Sequence, residues 1–204
     1  KIIKKMLIEK NIKLNRINDG KTDPNGNLWF GTMDNLERKI EKGSLYKLDK
    51  NLLLTKVDTD YRITNGPAFI DQYNFYHTDS SKKKIYKIKV NKDNKIINKK
   101  IFKKLSPIDG SPDGMTLDKY KNLWVAHFNG ACVSVFNRNA KLIHKINLHA
   151  QNITNCAFGG QNNNELFITS ATKGMNKAGL QKFRYSGFLF SVKTNSKGIL
   201  QKKF

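Results

Sequence analysis

Four short polar segments of the chain are built from residues that could do chemistry. They are Arg16-Ile17-Asn18-Asp19-Gly20, Thr64-Asn65-Gly66-Pro67, Ser111-Pro112-Asp113-Gly114-Met115 and Thr154-Asn155-Cys156. Their central residues, Asn18, Asn65, Asp113 and Asn155, lie 47, 48 and 42 residues apart. Carboxamide and carboxylate oxygens, brought together, suit a hard divalent cation such as Ca²⁺ or Mg²⁺. Such a cation polarises a carbonyl and lowers the pKa of a bound water. Taken singly, each motif reads first as an Asn-Gly or Asp-Gly turn. The shared spacing sets a ligand reading beside that one, and the motifs by themselves leave both open. No serine, histidine and acid arrangement stands out for a covalent serine mechanism.

The elements that must position these residues repeat with the same period. A turn followed by an aromatic strand occurs at Asp23 to Thr32, Asp71 to Thr78, Asp118 to His127 and Gly160 to Thr169, with Trp29, Phe75, Trp124 and Phe167 at matching places. Each copy continues into a second alternating strand (Ser44 to Leu48, Lys84 to Ile88, Ala131 to Val135, Gly187 to Ser191), then a turn, then outer strands such as Leu52 to Val57 and Lys141 to Leu148. Alternation of period two between Gly, Asn and Asp turns is the strand signal, and no segment shows a helical stripe. A repeat of 40 to 50 residues holding about four strands is the size of a propeller blade. In such a ring, equivalent positions at the start of each innermost strand surround one end of the central channel. The four motifs are therefore expected to converge there. Tyr46, Tyr86, Phe136 and Phe190 read as blade core. Asp79 reads equally as a strand-end turn or a channel-lining residue, and Gly174 to Lys182 as a surface loop near the site.

At these same residues the chain resembles the gluconolactonase, regucalcin (senescence marker protein) and luciferin-regenerating enzyme family. The resemblance rests on Arg16 to Asp34, Thr64-Asn65-Gly66, Ser111 to Met115 followed by Asn122 to Ala126, and Cys156 to Gly160 followed by Leu166 to Thr169. It implies an all-β, six-bladed propeller binding one divalent metal ion (Ca²⁺, Mg²⁺, Mn²⁺ or Zn²⁺) and hydrolysing a sugar lactone or similar small cyclic ester. Carried over by motif, Asn65 and Asp113 would be metal ligands. Asp113 would also handle the proton of the attacking water, and Arg16 and Asn18 would contact substrate oxygens. The resemblance further implies a glutamate ligand in the first blade, for which no equivalent segment is present. Glu9 lies too close to Arg16 and reads as part of the strand leading into that motif. A glutamate soon after Gly-Thr-Met has no clear match either, with Asp34 and Glu37 as weak substitutes. The chain is therefore expected to be a single partial propeller domain over residues 1–204, about four to five blades with the first missing. A non-catalytic metal- or ligand-binding propeller is the alternative.

The bulk properties bound this reading. A net charge of +22 would suit nucleic acid, but almost all of it is lysine rather than arginine, and the chain is also rich in Asn and Ile. Those three residues share A/T-rich codons, so a solvated lysine surface is expected in place of a nucleic-acid partner. No run of 18 apolar residues is present and Lys1 to Met6 does not read as a leader, so no membrane partner and a cytoplasmic location are expected. Cys132 and Cys156 are expected to be buried free thiols. The four histidines share no metal-binding spacing, and His127 reads as a strand-packing or surface residue.

Overall fold

The computed structural model describes residues 5–204, so Lys1 to Lys4 of the segment read above for a leader lie outside it. The described chain forms four antiparallel meanders. Blade 1 is β1 (Asn15–Thr22), β2 (Leu28–Asp34), β3 (Gly43–Leu48) and β4 (Leu54–Tyr61). Blade 2 is β5 (Thr64–Phe69), β6 (Asn74–Asp79), β7 (Lys84–Val90) and β8 (Ile96–Lys104). Blade 3 is β9 (Ser111–Leu117), β10 (Leu123–Phe128), β11 (Cys132–Phe136) and β12 (Leu142–Asn147). Blade 4 has three strands, β13 (Asn152–Gly159), β14 (Glu165–Ala171) and β15 (Leu189–Lys193). The order within each sheet follows the chain, innermost strand first. No helix among the described residues is long and apolar enough to cross a membrane.

The repeat visible in the sequence has a hydrogen-bonding cause. Asp23 is buried in the β1–β2 turn, where its Oδ1 accepts from the backbone N–H of Asn25 and Asn27. Its Oδ2 accepts from the Asn27 side chain and, at 2.9 Å, from the Trp29 indole. Asp118 repeats the same bonds to Tyr120, Asn122 and Trp124. Asp49, Asn91 and Asn137 close the outer turns in the same manner. Each is an Asx turn that fixes the register of its hairpin.

The core consists of three layers, one between each pair of neighbouring blades. Trp29, Leu45 and Tyr61 pack on Phe69, Phe75 and Ile88 of the next blade. Ala68, Tyr76 and Ile85 meet Met115, Leu123 and Val125. Trp124, Val133 and Val135 meet Ile153, Cys156 and Leu166. Successive strand residues point to opposite faces, so an inner blade is apolar on both sides. Gly31 sits where β2 meets blade 2, and a Cβ there would collide with Thr64. The lysine-rich β8 and the outer strand β12 are largely exposed edges. Phe167 and Phe190 are only half-buried, because blade 4 has no described neighbour beyond it.

Two local expectations need correction. Within the Gly174 to Lys182 loop, Lys177–Lys182 form a one-and-a-half-turn helix, α1, capped by the Asn176 side chain accepting from the Gly179 N–H. Six residues are too few to display a helical period. Glu9 belongs to a turn and not to a strand; its carboxylate accepts from Asn15, Thr32 and Tyr46.

At the far ends of the inner strands the C-terminal tail runs beneath the blades. Lys197 and Gly198 pair with Lys119 and Asp118, Asn163 donates to the Gly198 carbonyl, and Thr22 donates to the Lys202 carbonyl at 2.6 Å.

Candidate active site

All four motifs fall on innermost strands, and each carries a β-bulge. Three residues of β1 (Ile17 to Gly20) span two of β2. The same excess occurs in β5 between Asn65 and Ala68 and in β9 between Pro112 and Met115, while β13 carries one extra residue between Ile153 and Asn155. A bulge interrupts the pleat and re-aims the side chains around it. The Asn-Asp-Gly, Asn-Gly-Pro and Pro-Asp-Gly sequences thus supply the irregular backbone, and the motif is both turn-like and site-forming.

The bulged residues meet blade by blade. Asn18 Nδ2 donates to the Thr64 carbonyl at 2.7 Å and to Asn65 Oδ1 at 3.1 Å. Arg16 Nη1 donates to Asn18 Oδ1 at 2.7 Å and to the Ile17 carbonyl. Asn65, 4% exposed, donates through Nδ2 to Ser80 Oγ at 2.7 Å, and Ser80 Oγ donates to the Pro112 carbonyl, adjacent to Asp113. The Asn155 carboxamide lies over Gly114, leaving no room for a Cβ, and its Oδ1 accepts from the Cys156 N–H at 2.8 Å. One chain of contacts therefore runs from Arg16 through Asn18, Asn65 and Ser80 to the Asp113 segment and on to Asn155.

Among the described residues the Asp113 carboxylate receives no side-chain hydrogen bond and no ion pair. Burial, followed by the negative charge of Asp19, pushes its pKa up to about 8, opposed by the Gly114 N–H. A half-buried carboxylate whose ionised form is disfavoured, with the Lys173 charge only a minor counterweight, is a place where a cation gains much. The oxygens of Asp113 and Asn65 therefore fit a hard divalent ion. No group of three His, Cys, Asp or Glu side chains converges anywhere among the described residues.

Several residues at the site were not marked by sequence. Ser80 links two blades through space, which spacing could not show. Asp19 stands in the first motif, and its Oδ2 accepts from the Gly66 N–H at 2.9 Å across the blade boundary. Lys21, two residues on, donates to the Met115 carbonyl at 2.8 Å. Burial pulls its ammonium below the ordinary lysine range, countered by Cys156 and then Asp19. At the rim, Lys173 after β14 pairs with Glu37 after β2, so Glu37 contributes to the mouth. Asp34 is taken up at its strand end by Arg38, which holds its carboxyl down to about 2. Asp79 is buried and caps the N–H groups of Arg62 and Lys82, a strand-end turn rather than channel lining. His127 is buried with Nδ1 on the Asp109 carbonyl, and both cysteines are buried and free.

An arc of antiparallel blades with bulged, polar inner-strand ends gathered around one axis defines a β-propeller with an axial site. The chain belongs to the family described as SMP-30/gluconolactonase/LRE-like region, whose model matches residues 2–172. It is similar to a Bacillus subtilis protein named putative sugar lactone lactonase YvrE, with 33% identity over 90% of this chain and 63% of that protein. It is likewise similar to regucalcin of Pongo abelii, at 32% identity over 91% of this chain and 64% of that one. Among solved structures, a luciferin-regenerating enzyme superposes with a TM-score of 0.86 and 32% identity, over 96% of this chain and 67% of that one. The chain thus spans under two thirds of the length of the curated relatives it matches.

Proposed function

We propose that the protein hydrolyses a sugar lactone or similar small cyclic ester at the axial mouth, with one divalent cation held by Asn65 and Asp113. The observation that carries this reading is the half-buried Asp113 carboxylate, without a side-chain partner among the described residues and one peptide from the Ser80 bridge that ties it to Asn65. The cation, when bound, supplies electrophilic polarisation of the ester carbonyl and acidifies water. Arg16, oriented by its hydrogen bond to Asn18, presents its remaining N–H donors toward the carbonyl oxygen and stabilises the negative charge it gains, while Asn18, whose amide N–H groups are engaged by Thr64 and Asn65, holds that guanidinium against the proposed cation site. Asp113 takes a proton from the attacking water as the water oxygen bonds to the carbonyl carbon. When the ring C–O bond breaks, Asp113 returns that proton to the leaving alkoxide, and the product is the open hydroxy acid.

The test is lactone turnover by the protein with added Ca²⁺, Mg²⁺, Mn²⁺ or Zn²⁺. Metal-stimulated hydrolysis that Asp113→Asn abolishes is the expected result; unchanged turnover in that variant removes Asp113 from the mechanism. A second reading is a propeller that binds a cation or small ligand without turning it over. It is favoured by Asp113 being the only carboxylate we assign to the cation. Cation binding by calorimetry without hydrolysis under any of the four metals would select it.

A further inference from the structure

β1 reaches to both of the strands that carry the proposed ligands. Asp19 Oδ2 accepts from the N–H of Gly66, the residue after Asn65. Lys21 Nζ donates to the carbonyl of Met115, two residues after Asp113, across 94 positions of sequence. Asp19 lies within the β1 bulge and Lys21 just beyond it, close enough for each to feel the charge of the other. An ammonium and a carboxylate in so enclosed a place lose hydration that their mutual attraction seldom restores in full. A methionine of similar length would pack there at less cost, so stability does not account for the lysine.

We propose that Lys21 is a positioning residue for the cation site. It ties β9 to β1, as Asp19 ties β5 to β1, and so fixes the separation of the Asn65 and Asp113 oxygens. The inference rests on the metal reading given above. Charge and position predict effects of opposite sign. Removing a positive charge near a cation site tightens cation binding if charge is all that matters. Removing a brace loosens it.

The experiment is titration of Mn²⁺ into wild type, Lys21→Met and Lys21→Gln by calorimetry, with thermal melting of each apoprotein. Glutamine keeps an N–H donor without the charge and carries the test if the methionine variant does not fold. The expected result is Mn²⁺ affinity about tenfold weaker in Lys21→Met, with a melting temperature at or above wild type, and partial recovery in Lys21→Gln. Equal or tighter binding by Lys21→Met overturns the proposal. So does a fall in melting temperature with unchanged affinity, which would make Lys21 a structural residue only. Wild type that binds no cation would remove the metal reading itself, and the brace with it.

Discussion

Ser80 shows how much of the site depends on a single hydroxyl. It accepts from Asn65 Nδ2 and donates to the Pro112 carbonyl, so one oxygen joins the two blades that carry Asn65 and Asp113. Ser80→Ala should leave a buried amide N–H unsatisfied and cost about 1–3 kcal/mol in urea denaturation, with weaker cation binding by calorimetry. Asp113→Asn should leave stability intact or improved, since burial disfavours the charge it removes. Turnover in that variant should fall about 10²–10⁴-fold in a lactonase assay. The spacing of Asn18, Asn65 and Asp113 was legible in the chain because equivalent places in a ring repeat with the blade. Ser80, Asp19 and Lys21 were not legible, because their partners lie in other blades and no period relates donor to acceptor.

At the scale of the element, the Asx turns and the bulges divide the work. The turns hold register at the end of the hairpin away from the site, and the bulges break it at the site. Asp23→Ala removes four acceptor contacts, including that of the Trp29 indole, and should destabilise by about 2–4 kcal/mol on chemical denaturation while leaving cation affinity nearly unchanged. Gly31→Ala should destabilise by about 1–3 kcal/mol by forcing Thr64 and blade 2 away from β2. Strand and turn positions were readable because Asp, Asn and Trp recur with alternation between them. The bulges were not, since Asn-Gly and Asp-Gly signal a turn without saying whether it lies at a strand's end or within it. α1 was unreadable because its helix is set by one cap and lasts six residues.

For the whole molecule, the layer between blades 1 and 2 contributes a sensitivity to acid. His77 is wholly buried between blades 1 and 2, edge-on to Tyr61, with neither ring nitrogen hydrogen-bonded. Burial depresses its pKa to about 3, from 6.5 in the unfolded chain. Between those values the unfolded chain binds the extra proton, so stability is full above pH 6.5 and declines as pH falls toward 3. The loss from this one group is on the order of 4 kcal/mol. His77→Phe should flatten that decline in denaturation midpoints measured from pH 7 to pH 4; an unchanged slope would place the acid sensitivity elsewhere.

The tail joins Asp118, Asn163 and Thr22, one residue from each of blades 3, 4 and 1. With Lys197 to Lys202 laid across them, three hairpins far apart in sequence hang on one strap of chain. Cutting that strap frees all three at once, so loss of these few residues should weaken the whole arc rather than a single blade.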